Sequence, residues 1–296
     1  MTKCLIVTYG YFGDIFFQTS IAKKLKKENR FDQVDYLIGF PQIFRLLKNN
    51  PYIDNVLLTN SPTPFPRLDG NLHYDNIYKM KQFSFVEPPT IECQGWAGIV
   101  DKSPEFNIYT DPEYDKIANE NISELKKQNN KPVVAIPADW KERTFLFTEE
   151  EYKLGIDHPN QTGYSGKRRN VEYIKEKLSK HLNILIVGLP MEIKQTMTVN
   201  VPENDQNSIL FQCSILKACD LFIGSESGMC NMASGVGTRT IISGDFVHQL
   251  YGWNGALRKI KEPKLGPVHY FKDKKHIELN PFLTDDEVVT EILKNI

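Results

Sequence analysis

KCLIVTYGYFGDIFFQTSIAKKLKK, residues 3–27, joins a short apolar run to a turn with two glycines, then to Phe17, Ile21 and Leu25 spaced four apart among lysines. The run "CLIVT" (4–8) shows no alternation, so it reads as a strand buried on both faces, the habit of parallel sheets. The four-residue spacing over 15–28 predicts an amphipathic helix. Between them stands Asp14, directly after Gly13. An aspartate there can cap the helix, or it can accept a proton at the C-terminal edge of a sheet, where open α/β folds bind ligands. The helix N-terminus would lower its pKa and make it a weak base at rest. The two roles are compatible.

The pattern repeats downstream. "VDYLIG" (34–39) and "NVLLT" (55–59) read as strands, with a helix over 41–50 between them that tolerates Pro41 in its first turn. This β-α-β-α-β order predicts a parallel sheet with helices on its faces. Residues 60–71 and 87–98 read as loops, and a charged helix over 112–129 ends in a linker-like "KQNNKP". From Lys131 the alternation restarts, with strands at 132–137, 182–188, 220–225 and 239–243. Helices are expected at 170–180, 209–219 and 228–237, and at 284–295 with Thr284 as N-cap and Glu287 completing a capping box. The expected fold class is α/β: a Rossmann-like domain over 1–130, another over 131–283, and a terminal helix over 284–296.

Composition narrows the function. At 296 residues, 41% hydrophobic, 25% charged and net charge −1, the chain reads as a soluble globular protein without the basic excess of nucleic-acid binders. Five cysteines without CxxC spacing read as buried thiols of a reducing compartment, hence a cytoplasmic protein. No run is long and apolar enough to span a membrane, so at most peripheral membrane contact is expected.

Both parts of the dinucleotide-binding fingerprint are missing. The spacing in the first turn is Gly10-x-x-Gly13 rather than GxGxxG, and Gly39-Phe40 stands where a ribose-binding acid would end the second strand. Gly13 therefore either brings a ligand close to the backbone or simply makes the turn. A second constellation is "ACDLFIGSESGMCNMASGVGTRTIIS" (218–243). There the first-turn amides of Ser227, Gly228 and Met229 would cradle a diphosphate. Glu226 would accept hydrogen bonds from sugar hydroxyls, and Asn231 lies one turn in. The small residues Ala233, Ser234, Gly235 and Gly237 would let this helix pack closely on its sheet. The alternative is a tightly packed turn with a capping serine. In "TGYSGKRRN" (162–170), Lys167, Arg168 and Arg169 either neutralise a departing diphosphate or form a solvated basic turn.

"GDIFFQTSIAKKLKKENRFDQVDYLIGFPQIFRLLKNNPYIDNVLLT" resembles the N-terminal segment of glycosyltransferase family 9, the heptosyltransferase family, and "LKACDLFIGSESGMCNMASGVGTRTIISG" resembles that family's C-terminal motif. The resemblance implies a GT-B architecture, two Rossmann-like domains with parallel sheets facing each other across a cleft. It implies inverting, metal-independent transfer of a sugar from a nucleotide-diphosphate sugar, a co-substrate with no further cofactor, to a hydroxyl of a glycan or glycolipid. Asp14, beside Gly13, matches the family's base. Lys167 matches a donor-phosphate lysine, Glu192 a ribose-binding acid, and Asn207 and Ser208 the region contacting the nucleobase. Glu226, Ser227, Gly228 and Asn231 match the sugar- and diphosphate-binding turn. The chain departs from the family by Glu226 for an aspartate and Asn231 for a histidine, and residues 138–166 look like an insertion. These departures keep two alternatives open: a degenerate protein that binds nucleotide-sugar or glycan without turnover, and another GT-B enzyme such as a nucleotide-sugar epimerase.

Overall fold

The computed structural model describes residues 1–60, 62–67, 73–81, 83, 89–103, 105–138, 140–142, 167–188, 209–225, 227–243, 276–279 and 283–296. In the front half, β1 (Lys3–Val7), β2 (Gln33–Ile38), β3 (Asn55–Leu58) and β4 (Asn76–Lys79) form a sheet in the order β3-β2-β1-β4, every pair parallel. Its helices are α1 (Phe12–Lys27), α2 (Phe44–Lys48), which follows a 3-10 turn at Pro41–Ile43, and α3 (Pro89–Trp96). The helix α4 (Pro112–Asn129) leads into the rear half.

There β5 (Val133–Pro137), β8 (Asn183–Val187), β9 (Leu221–Ser225), β10 (Thr240–Ser243) and β11 (His276–Leu279) form a second parallel sheet in the order β11-β10-β9-β5-β8. A two-residue pair, β6 (Lys141–Glu142) with β7 (Lys167–Arg168), is antiparallel. The rear helices are α5 (Val171–Leu178), α6 (Ile209–Ala218), α7 (Gly228–Gly235) and α8 (Asp285–Lys294). The expected α/β class with two Rossmann-like parallel sheets is the observed one.

Each strand order has one switch point. The front chain steps outward from β1 through β2 to β3, then returns to the other side of β1 as β4. The rear chain runs from β5 to β8, then returns to the other side of β5 as β9. Ligands of open α/β sheets bind beyond the C-terminal strand ends at such points. The β1–α1 turn and the β9–α7 turn both lie there.

Several expectations change on contact with the structure. Residues 87–98, read as a loop, contain α3: its Pro89 stands at the helix start, where a missing N–H costs nothing, and Thr90, Cys93 and Gln94 are buried. The helix α1 is not amphipathic over its middle, because Ile15 through Ala22 are all buried. It packs on β2, α3 and the rear half's α7 together, so one apolar stripe does not suffice. One hydrophobic cluster accordingly runs through both halves and includes Phe16, Phe17 and Ile21 of α1 with Met229, Met232 and Ala233 of α7.

Further ties bind the halves. The Ile108 N–H donates to the Gly235 carbonyl at 2.8 Å. Helix α4 packs along α6, with the Lys217 Nζ donating to the Asp115 Oδ2 at 2.6 Å. A second core, under the other face of the rear sheet, is closed by α5 and α8, and the capping box of Thr284 and Glu287 starts α8 as expected. All five cysteines are buried thiols, and burial pushes Cys4, Cys93 and Cys219 up to about 12. Among the described residues no helix is long and apolar enough to cross a membrane.

Candidate functional site

The β1–α1 turn is built around Asp14. Gly10 has φ +94, a left-handed conformation, and a Cβ there would lie 2.3 Å from the Asp14 Oδ2, so the position needs glycine twice over. The folded-back carboxylate accepts the Tyr11 N–H at 2.9 Å. Tyr11 is the N-cap and offers no side-chain cap of its own, so Asp14, at the third helical position, satisfies a donor that would otherwise be orphaned. Asp14 is therefore not the N-cap of a helix over 15–28: the helix starts three residues earlier, and the aspartate supports its first turn from the third helical position.

The same turn is clamped from below by a residue that the spacing did not single out. Gln18, fully buried on α1, accepts the Tyr9 N–H at 3.1 Å and donates its Nε2–H to the Tyr9 carbonyl at 2.7 Å. The Tyr36 hydroxyl donates to the Gln18 carbonyl at 2.8 Å, which ties the clamp to β2. A glutamine amide has one acceptor and two donors, the set needed to bracket one residue's backbone. The signal available in sequence was a long polar side chain among apolar neighbours, between Phe17 and Ile21.

The β9–α7 turn is capped by Ser227, whose Oγ accepts the Cys230 N–H at 3.4 Å and donates to the Ser225 carbonyl at 3.2 Å. The serine thus fills the capping role weighed as the alternative. It takes one amide of the first turn, and those of Gly228 and Met229 still have no intrahelical acceptor. Gly235 serves a purpose other than sheet packing: a Cβ there would come within 2.7 Å of Ile108 and Phe106, so it admits the segment that joins the halves.

These two turns meet. A Cβ on Gly13 would lie 2.7 Å from the Asn231 Nδ2 and 3.5 Å from the Gly228 Cα, and a Cβ on Gly228 would lie 3.9 Å from the Gly13 nitrogen. Asn231 is 5% exposed, so its amide is held in the seam. Gly13, Asp14, Ser227 and Gly228 are all half-buried, so the seam keeps an open side. The positive ends of two helices converge there, one from each half, a setting that favours an anion.

No contact among the described residues joins the remaining expected positions to the seam. Lys167 sits on β7 opposite Glu142. Its neighbour Arg169 belongs to neither the phosphate nor the solvated reading, because it is buried and donates to the Leu283 carbonyl at 2.5 Å and to Asp285 at 3.1 Å. Glu192, Asn207, Ser208 and Glu226, and nearly all of segment 138–166, lie outside the described residues.

A cavity of about 360 Å³ opens at the opposite, N-terminal edge of the rear sheet, lined in part by Lys126, Lys131, Asp220 and Arg239. Its charges are engaged within the chain: Lys126 pairs with Asp220 at 2.6 Å, Lys131 donates to the Ser179 carbonyl, and Arg239 to the Asn295 carbonyl. It is remote from both switch points, and the seam is the better ligand site on physical grounds.

No protein-family model and no curated protein matches the sequence. Solved structures do match the fold. The family 9 glycosyl transferase of Veillonella parvula superposes with a TM-score of 0.59 at 13% identity, over 100% of this chain and 90% of that one. ADP-heptose LPS heptosyltransferase II of E. coli gives 0.55 at 10% identity, over 99% and 98% of the two chains. The iron-containing dodecameric glycosyltransferase TibC of enterotoxigenic E. coli gives 0.53 at 11%, over 99% and 76%. The chain therefore has the GT-B-type fold of these glycosyltransferases.

Proposed function

We propose that this chain is an inverting glycosyltransferase that moves a sugar from a nucleotide-diphosphate sugar to a hydroxyl of a glycan or glycolipid. The observation that carries the reading is the apposition of Gly13, the residue before Asp14, with Gly228 and Asn231 at the switch points of the two sheets. The resemblance of both motifs to family 9, and the shared fold, supply the chemistry.

In this reading the donor's diphosphate lies beside the first turn of α7, on the amides of Gly228 and Met229. Lys167 supplies a cation, Glu192 the ribose contact, Asn207 and Ser208 the base contacts, and Glu226 the sugar contact. The acceptor hydroxyl attacks the anomeric carbon from the face opposite the diphosphate. As the new C–O bond forms, the bond to the diphosphate oxygen breaks with its electron pair. The hydroxyl proton passes to the Asp14 carboxylate. A carboxylate has about four lone-pair sites, so serving as an acceptor within the turn is compatible with taking up a proton. The helix amides take up the charge of the leaving group, and this assignment makes metal independence part of the proposal.

A second reading, binding without turnover, has two observations in its favour: Asp14 already serves as a cap, and Asn231, unlike the family's histidine, carries no titratable proton. One experiment separates the two. Asp14→Asn keeps an acceptor for the Tyr11 N–H, so fold and nucleotide-diphosphate thermal shift should persist. Transfer should fall by about two to four orders of magnitude, the share of a positioned base. Parental turnover in the variant removes the catalytic role, and binding of nucleotide-sugar with no transfer by the parent to any acceptor establishes the second reading. Inversion is read from the anomeric configuration of the product.

A further inference from the structure

The front half carries an aromatic surface that the proposed chemistry does not yet use. Tyr11 is 61% exposed and Phe65 53% exposed. Each leans on a second ring: Tyr11 is stacked with Phe40 at 5.8 Å between centroids and 28° between planes, and Phe65 packs on Tyr9 at 5.0 Å. Phe12 meets the edge of Phe40 at 5.2 Å, which holds that ring in place.

Three loops are tied together to build this surface. The Gly10 N–H donates to the Pro64 carbonyl at 2.8 Å, and the Thr63 N–H donates to the Gly39 carbonyl at 3.0 Å. A Cβ on Gly39 would lie 1.7 Å from the Thr63 carbonyl oxygen, so the loop bearing Phe65 lies flat on the end of β2. The rings are thus presented on a fixed support, the condition under which binding loses least to ordering.

The position of Tyr11 is informative. Helix N-caps favour Ser, Thr, Asp and Asn, and Tyr11 forgoes that hydrogen bond while exposing most of its ring. Its own N–H is the one that the Asp14 carboxylate accepts, so the ring and the proposed base are joined through one backbone group.

We infer that Tyr11 and Phe65, backed by Phe40 and Tyr9, stack against the C–H face of a neutral pyranose ring of the acceptor, and so hold its hydroxyl beside Asp14. This inference rests on the transferase reading and names the acceptor's chemical class. Aromatic faces are electron-rich, and the polarised C–H bonds on one face of a pyranose complement them while the hydroxyls point outward to water. An acyl chain, with no polarised C–H face, gains no such complementarity from these ring stacks.

Charge argues the same way. The segments 8–14, 39–44 and 62–67 contain two charged residues, Asp14 and Arg67. Within these segments an acceptor ring bearing several phosphates or carboxylates would meet one cation and the carboxylate of Asp14; the next cations along this edge, Lys79 and Lys81, are exposed at the end of β4.

The test uses saturation-transfer NMR on the full chain with ADP or UDP present. The probes are neutral methyl glycosides of glucose, galactose, mannose and N-acetylglucosamine, with methyl glucuronide and a short-chain phosphatidylcholine as comparators. At least one neutral glycoside should receive saturation mainly on the C–H protons of one face. Tyr11→Ala with Phe65→Ala should weaken it about tenfold or more, while Tyr11→Phe with Phe65→Tyr, which keep the faces, should retain it. The inference is overturned if no neutral glycoside binds, if only the glucuronide or the phospholipid does, or if the alanine variant binds like the parent. The nucleotide-diphosphate thermal shift is read on the same samples. Its absence in the parent defeats the donor reading whatever the glycosides do, and its persistence in the alanine variant shows that the variant is folded.

Discussion

Gly13→Ala probes the seam directly. The new Cβ would sit 2.7 Å from the Asn231 Nδ2 and 3.8 Å from its Cγ, closer than van der Waals contact allows for the first of these. The atom that must yield is the tip of a side chain that is 5% exposed, so it has little room to turn. Overpacking of this kind costs about 1–3 kcal/mol. Against it stands the gain from replacing glycine in a helix, about 0.4–1 kcal/mol through the unfolded chain. Gly13 lies at the second position of α1 with ordinary negative φ, so that gain is available. The net expectation is a loss of about 1 kcal/mol.

Removing the obstacle should reverse the sign. In an Asn231→Ala background the Cβ introduced at position 13 would meet no amide, and the same substitution should stabilise by about 0.4–1 kcal/mol. The assay is urea unfolding of four proteins, the parent, each single variant and the double. Both circular dichroism and fluorescence should be followed, since coincident transitions are needed before one free energy is assigned to two packed halves. Groups in contact couple by about 0.5–3 kcal/mol, whereas independent sites add within about 0.5 kcal/mol. If Gly13→Ala has the same effect in both backgrounds within that margin, Asn231 does not lie over Gly13 and the two helix ends do not meet.

Two further outcomes follow from the same contacts. Gln18→Leu removes both hydrogen bonds to Tyr9 and should cost about 1–3 kcal/mol by urea midpoint; a loss below about 0.5 kcal/mol would mean that the clamp is dispensable. Burial pushes Asp115 up, but donation from Lys217 and Thr110 wins and holds its pKa below the usual carboxylate range. A lowered folded pKa makes its contribution complete above the ordinary value near 4, and lost as pH falls through the lowered one. Lys217 is about half exposed, so the contribution is under about 1 kcal/mol, and Asp115→Asn should flatten the acid side of the stability curve to that extent. Parallel curves from pH 6 to pH 3 would deny the pair any role.

The legibility of this chain follows from where each signal is written. Strands β1, β5 and β9 are buried on both faces, so each shows as an unbroken apolar run. Strand β4, by contrast, is an edge strand of four residues with Ile77 40% exposed, and nothing in "NIYK" separates it from a loop. Strand β11 is equally short and also at an edge. Helix α3 was hidden by the prolines before it and by Gly95, although a proline at a helix start is harmless. In the site, Ser227 was legible because caps are local. Asp14 was legible as a helix-start residue but not in its place at the third helical position, because the apolar spacing begins after the true helix start. The Gly13–Asn231 contact joins residues more than 200 positions apart, and no local pattern records it. Gln18 was missed because its partners are backbone atoms, which every sequence supplies.

On the proposed transferase reading, the electrostatics of the seam connect the two roles of Asp14, cap and base. Each helix N-terminus carries roughly half an elementary positive charge. Two half charges held about 5 Å apart would repel by about 1 kcal/mol at the effective dielectric of a protein surface. The apposition of α1 and α7 therefore works against itself when nothing negative lies between them. Asp14 offsets part of that repulsion by folding its carboxylate onto the first turn of α1, which is the cap. A diphosphate beside α7 would turn the remaining repulsion into attraction, and the halves would hold together most firmly with the donor bound. In the proposed transfer, proton uptake at Asp14 would remove negative charge from α1 at the moment when the leaving diphosphate adds it at α7. On that proposal cap and base would be successive states of one carboxylate, and a donor bound in the seam would favour the change from the first to the second.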